Sequence, residues 1–207
     1  MMFYLSVISY WFFVSIYFIM DIYIYMSNQW NVYKLQSYSN RVWDRWFNDV
    51  FISILNSIYT LCLSYIFPIY YDSIYPSVKD IYKLALYIIF IDLYFYILHR
   101  YMHFNKYLYK HVHKHHHETN ITVAASGFNS SILEHIILNI GSLYIPHMFI
   151  QGSYFLISLL VIIGGYSSAS SHSGYINCIQ HNKHHQLLSV NYGNGLYIWD
   201  TVFSTFE

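Results

Sequence analysis

Five stretches of this chain are apolar over lengths that suit helices in a bilayer. A hydrocarbon core needs about 20 apolar residues in a helix, with a range of roughly 17–25. Residues 2–25 meet that length, interrupted only by Asp21. Residues 50–71 meet it, from Val50 to Tyr71. Residues 81–98 meet it if Lys83 carries its ammonium out to the interface, with Asp92 left inside. Residues 132–150 are weaker, because Glu134, His135, Asn139 and Pro146 break the run. Residues 153–170 are apolar as far as Gly164-Gly165 and serine-rich beyond. Only Gln151-Gly152 separates the last two stretches, which reads as a helical hairpin, either crossing fully or re-entrant.

The pattern predicts an all-α, polytopic integral membrane protein with four to five transmembrane or re-entrant helices. Residues 1-207 form a single membrane domain. Residues 1-80 hold the first spans and an interfacial segment, and 81-207 hold the chemistry. Composition agrees: 56% of residues are hydrophobic and 10% charged, against roughly 25% charged in an ordinary soluble domain. Ten basic residues balance ten acidic ones, so nothing points to nucleic acid. The excess of Tyr, Ile and Asn fits an AT-rich coding bias. Cys62 and Cys178 do not form a disulfide framework. No basic n-region or small-residue cleavage site marks a cleavable signal. Between the first two spans, Ser27–Asp49 mixes Trp30, Trp43 and Trp46 with Lys34, Arg41 and Arg45. That mixture suits either a membrane–water interface or a plain polar loop.

The histidines change the picture. All thirteen lie between His99 and His185. They read His99-x3-His103, then His113-x2-His116-His117, then His172, then His181-x2-His184-His185. Residues at i, i+3 and i+4 share a helix face, so each cluster aims imidazoles at one point. Imidazole suits iron, zinc, copper and nickel. A single structural zinc takes four ligands, usually with cysteine among them. Nine well-spaced histidines fit two metals with four or five ligands each. If the loop after the third span faces the cytosol, so do Lys34, Arg41, Arg45, Arg100, Lys106, Lys110, Lys114 and Lys183. Only Lys79 and Lys83 fall on the other side, in keeping with the positive-inside rule. The same arrangement brings every histidine cluster to one face.

Not every histidine belongs to this pattern. His147 reads as a packed residue, and His111 and His115 break the helical spacing of their cluster. A loose metal-binding loop of a transporter is the alternative to a catalytic centre, although such loops are irregular rather than ordered in three clusters.

The ordered set of motifs resembles the fatty acid hydroxylase and sterol desaturase superfamily. It consists of His99-Arg-Tyr-Met-His103 and Tyr109-Lys-His-Val-His113-Lys-His-His116-His117-Glu118, then Leu133-Glu134-His135 and His172-Ser-Gly-Tyr175. It closes with His181-Asn-Lys-His184-His185, Asn191-Tyr-Gly193 and Trp199-Asp200. The resemblance covers residues 80–207. It implies that His99, His103, His113, His116, His117, His172, His181, His184 and His185 hold two iron ions, with zinc as a substitute in purified protein. It implies hydroxylation or desaturation of a sterol or fatty acyl chain with dioxygen. The electrons come from NAD(P)H through a reductase and a cytochrome b-type haem carrier, in an endoplasmic reticulum-like membrane. Glu118, Glu134 and Asp200 are expected to accept imidazole N–H groups, although Glu118 and Asp200 read equally as solvated charges.

Two departures stand out. Where the superfamily carries a His-Pro-x-Glu-like segment, this chain reads Ser131-Ile132-Leu133-Glu134. His135, four residues past Ser131 and so one helical turn on, is a doubtful substitute ligand. The text after Trp199 stops at Glu207, where family members continue. A gating tail and a fused haem domain are therefore not expected.

Overall fold

The computed structural model describes residues 2–67, 69–118 and 121–207. It is all-helical among those residues, and no strand is formed. The chain runs through α1 (Met2–Met26), the short α2 (Trp30–Tyr33), α3 (Arg41–Leu63) and α4 (Lys79–Phe104). One turn of α5 (Lys106–Leu108) leads into a π-helical turn, Tyr109–His113. A 3-10 turn, Ala124–Phe128, precedes α6 (Ile132–Glu134), a second π turn (His135–Ile140) and α7 (Gly141–Phe149). Then come α8 (Tyr154–His172), α9 (Ile179–Leu187) and α10 (Ile198–Val202).

Four of these helices, α1, α3, α4 and α8, are long and apolar enough to cross a membrane. The weak stretch at 132–150 is helical throughout but broken by its π turn and by Pro146, so it is not a fifth uniform span. The second span also differs from the hydropathy reading of 50–71. Its helix starts at Arg41 and ends at Leu63, with Asp49, Ser53, Asn56, Ser57 and Thr60 turned inward while Arg41, Asp44 and Asn48 stay exposed.

Those inward polar residues orient the bundle. Tyr10 of α1 meets Ser53 of α3, and Trp46 donates to Asp21 at 3.1 Å, so α1 and α3 run antiparallel. Ser9 contacts Val161, and Tyr175, just past α8, donates to Asp21 at 3.0 Å, so α1 and α8 run parallel. Gly165 permits the close α1–α8 approach: a Cβ there would lie 2.5 Å from Ser9 Oγ and 2.9 Å from the Tyr10 amide nitrogen. Asp21, which interrupts the first span, is paired with Lys34 at 2.6 Å. Lys34 also donates to the Ser173 carbonyl at 2.5 Å. Lys34, Trp30 and Trp46 are buried, so this part of Ser27–Asp49 is neither an interfacial belt nor a solvated loop. A carboxylate inside an apolar helix needs a cation nearby, and Lys34 supplies it.

Candidate metal centre

The C-terminal ends of α4 and α8, the turn at 113–117 and α9 meet at one end of the bundle. Nine histidines converge there in two groups. The first is His99, His103, His113, His117 and His184, and the second is His116, His172, His181 and His185. Within each group the presented atoms all lie within 4.8 Å of one another.

The groups do not follow the sequence clusters one to one. The 113–117 turn and α9 each contribute to both. Adjacent helical residues point roughly 100° apart, so His184 and His185 face different groups, as do His116 and His117. The groups touch: the His117 and His185 rings are 4.5 Å apart. His99 and His103, one turn apart on α4, stay together in the first group.

Outer hydrogen bonds fix the tautomers. His99 Nδ1 meets the Tyr192 carbonyl at 2.6 Å, and His184 Nδ1 meets that of Val190 at 2.8 Å. In the second group, His116 Nδ1 meets the Asn129 carbonyl at 3.1 Å and His172 Nδ1 that of Ser168 at 3.0 Å. A carbonyl only accepts, so each Nδ1 carries the hydrogen and each Nε2 turns a lone pair inward. His113 Nε2 lies 2.8–3.0 Å from the Nε2 atoms of His99, His103 and His117. Lone pairs do not bond to one another. A cation at each focus satisfies them, and an all-imidazole set suits iron, zinc or copper. The residues present therefore fit two metal ions.

Electrostatics keep these rings ready to ligate. Burial depresses His116 to about 4, and burial together with neighbouring rings holds His113, His117, His181, His184 and His185 low. A neutral imidazole is the ligating form. Glu134, whose carboxyl is raised by burial, lies 2.9 Å from His113 Nδ1.

The other residues singled out in the sequence fall in varied places. Asp200 is fully buried and accepts from the backbone N–H of Tyr192 at 2.8 Å and of Gly193 at 2.6 Å. It touches no imidazole but fixes the Tyr192 carbonyl that orients His99. Glu118 is exposed and pairs with His115 at 3.2 Å, away from both groups. His115 also meets Asn129, His111 is exposed, and His147 is buried against Tyr87. His135 lies outside both groups. Its Nδ1 accepts from the Asn139 amide at 3.1 Å, and its Nε2 lies 2.8 Å from Thr60 Oγ1. Ser131 caps α6 by accepting from the Glu134 N–H at 3.2 Å.

Sequence reasoning missed the residues that hold the histidines from behind. Asp49 is fully buried, accepts from Asn129 Nδ2 at 2.7 Å and from Ser126 Oγ, and forms an ion pair with Arg45 Nε at 3.0 Å. It thereby anchors the turn whose Asn129 carbonyl orients His116. The i, i+4 pair Arg45–Asp49 at the head of an apolar helix was its one visible signal.

A mainly apolar cavity of about 490 Å³ lies beside the centre, between α1, α4, α7 and α8. Phe95, Asn139, Ser168 and Asn194 border both this cavity and the gap lined by His99, His113, His116, His172 and His181.

Comparison with known proteins places this geometry. A protein of Dictyostelium discoideum, provisionally named a methylsterol monooxygenase, is 27% identical over 197 residues, covering 84% of this chain and 72% of its own. Sphinganine C4-monooxygenase 1 of Arabidopsis thaliana is 29% identical over 137 residues, covering 57% of this chain and 51% of its own. The chain thus spans about half the length of the Arabidopsis relative. No solved structure matches. Residues 84–205, more than half of the chain, match the family described as fatty acid hydroxylase, and the chain belongs to that family.

Proposed function

We propose that this chain is a membrane-embedded lipid monooxygenase whose nine histidines hold two iron ions at the inner end of an apolar cavity. The observation that carries the proposal is the shared wall of cavity and centre, formed by Phe95, Asn139, Ser168 and Asn194. The volume of about 490 Å³ falls within the roughly 300–1,000 Å³ of small-molecule sites. Met2, Phe3, Ile91, Leu143 and Leu160 give it hydrocarbon walls. Both named relatives are monooxygenases of lipids.

When bound, iron supplies the activation of dioxygen that an unactivated C–H bond requires. The chain's own residues do the rest. The carbonyls of Tyr192, Asn129, Ser168 and Val190 hold four imidazoles in one tautomer. Glu134 steadies His113, and the apolar walls keep water from the reacting carbon. No side chain is needed as a nucleophile. Serine at position 131 does not remove a ligand, because nine histidines converge without it. The substrate is a sterol or a long-chain acyl or sphingoid lipid, and the product an alcohol or an alkene. Electrons come from NAD(P)H through a reductase and a cytochrome b-type carrier on the cytosolic face of an endoplasmic reticulum-like membrane.

Lipid profiling of a host that expresses the wild type or His116→Ala tests the proposal. An oxygenated or newly unsaturated lipid is expected with the wild type alone. Identical profiles from fully metal-loaded protein, with metal flux into liposomes instead, would assign the centre to transport.

A further inference from the structure

Three of the four histidines in the second group, His172, His181 and His185, come from α8 and α9. The link between those two helices is the stretch of backbone on which that group most depends. It is short and sharply bent. His172 ends α8, Ser173 caps it, Gly174 takes a φ of +74°, and a 3-10 turn at Ile176–Cys178 leads into α9. Each residue from 173 to 175 is fastened by the N-terminal half of the chain. Lys34 Nζ donates to the Ser173 carbonyl at 2.5 Å, and the Leu35 N–H donates to the Gly174 carbonyl at 2.9 Å. The Tyr175 hydroxyl donates to Asp21 Oδ1 at 3.0 Å, and the same oxygen pairs with Lys34 at 2.6 Å. The Lys34 ammonium also sits 4.0 Å from the centre of the Tyr175 ring.

The last carbonyls of a helix have no partner within it, and a cation there also meets the negative end of the helix dipole. Lys34 meets both needs at the end of α8. A buried ion pair adds little net stability over apolar packing of similar volume, so stability alone does not account for a pair at this place. Its position does. We infer that Lys34 and Asp21 are positioning residues of the four-histidine group: they fix the α8–α9 link, and through it the bearing of His172, His181 and His185. Both lie outside residues 84–205, which match the family. The N-terminal half of the chain thus completes the support of a centre to which it gives no ligand. This rests on the two-metal reading above and adds to it a tether that acts on one ion and not the other.

Cobalt(II) titration of purified full-length protein in nanodiscs, against a competing chelator and with absorption spectra, tests the inference. His172→Ala identifies the affinity and the absorption bands of the ion in the four-histidine group. The double variant Asp21→Asn, Lys34→Met removes both charges together, so Tm stays near that of the wild type, but the Ser173 carbonyl loses its donor. That ion alone is expected to bind about tenfold more weakly, the lower end of the range for removing an outer partner of a metal ligand, with its bands shifted. Tyr175→Phe keeps the ion pair and loses only the hydroxyl bond to Asp21, and it should weaken the same ion by about threefold. This second variant decides the matter if the double variant fails to fold. Unchanged affinity and bands in the variants, or equal weakening of both ions, would overturn the inference. A wild type that binds a single ion would sink the two-metal reading alone, and the tether then stands or falls on whether that ion weakens. Binding of none would sink both.

Discussion

Gly127→Ala tests how the 3-10 turn sets the position of α8. Gly127 packs against α8 at Ser168, whose carbonyl fixes His172. A Cβ at 127 would lie 2.5 Å from Ser168 Oγ and 2.9 Å from its carbonyl carbon. An ordinary contact begins near 3.4 Å, so the hydroxyl must retreat by about 0.9 Å and the Ser168 carbonyl oxygen, the backbone atom that the Cβ would meet most closely, by at least as much. The carbonyl cannot rotate away, because it is part of the helix. Overpacking of this kind costs about 1–3 kcal/mol, which for a chain of this size lowers Tm by roughly 2–4 °C per kcal/mol. The site suffers more, since metal ligands tolerate displacement of only about 0.5 Å. His172 belongs to the four-histidine group, and α8 gives no ligand to the other. Bound metal should therefore fall by about one ion per chain, read by elemental analysis beside a thermal melt. Gly164→Ala is the control, because its nearest contacts are ordinary ones to Leu143 at 3.5 and 3.6 Å. If Gly127→Ala matches Gly164→Ala in both metal content and Tm, the link between turn, α8 and His172 is wrong.

Three further outcomes follow from buried polar groups. Lys34→Met leaves the Asp21 carboxylate buried and unpaired and should cost about 3–5 kcal/mol, most of it recovered when Asp21→Asn is added; thermal unfolding of both variants checks this, and equal losses would refute it. Asp200→Ala removes the acceptor of the Tyr192 and Gly193 N–H groups and of Thr205 Oγ1. It should destabilise by about 3 kcal/mol and weaken metal retention through His99; unchanged metal affinity would show that the Tyr192 carbonyl does not orient the ring. Histidines held below their ordinary value bind fewer protons folded than unfolded, so folding stability falls as pH drops from about 6.5 toward the folded value, about 4 for His116. Chelated protein should lose Tm as pH falls from about 6.5 toward 4, and metal-loaded protein at least as steeply, because metal binding also requires unprotonated imidazoles; a flat Tm in the chelated form would contradict this.

Much of the scaffold was legible in the sequence because spans and clusters are local patterns. The four long helices and the convergence of nine spaced histidines follow from hydropathy runs and from i, i+3, i+4 spacing. The division of the histidines into five and four did not, since it depends on how the 113–117 turn and α9 face each other across the centre. Helix limits failed where polar residues turn inward: Asp49 made 50–71 look like the span, yet it sits inside α3 and anchors Asn129. Lys34 looked interfacial because nothing local shows that Asp21 lies beside it. The carbonyls of Tyr192, Val190, Asn129 and Ser168 were invisible, since every residue has one and only the tertiary fold selects which meets an imidazole.

The central claim is that nine imidazoles, without His135, hold two metal ions. The direct measurement is the metal-to-chain ratio and ligand-sphere spectrum of protein purified from iron-supplemented cells. It should be made on the wild type, His135→Gln and His116→Ala. A ratio near two with nitrogen-dominated ligation in the wild type and His135→Gln, and a clear loss in His116→Ala, is the predicted result. Substoichiometric metal in the wild type, or loss in His135→Gln equal to that in His116→Ala, would contradict it.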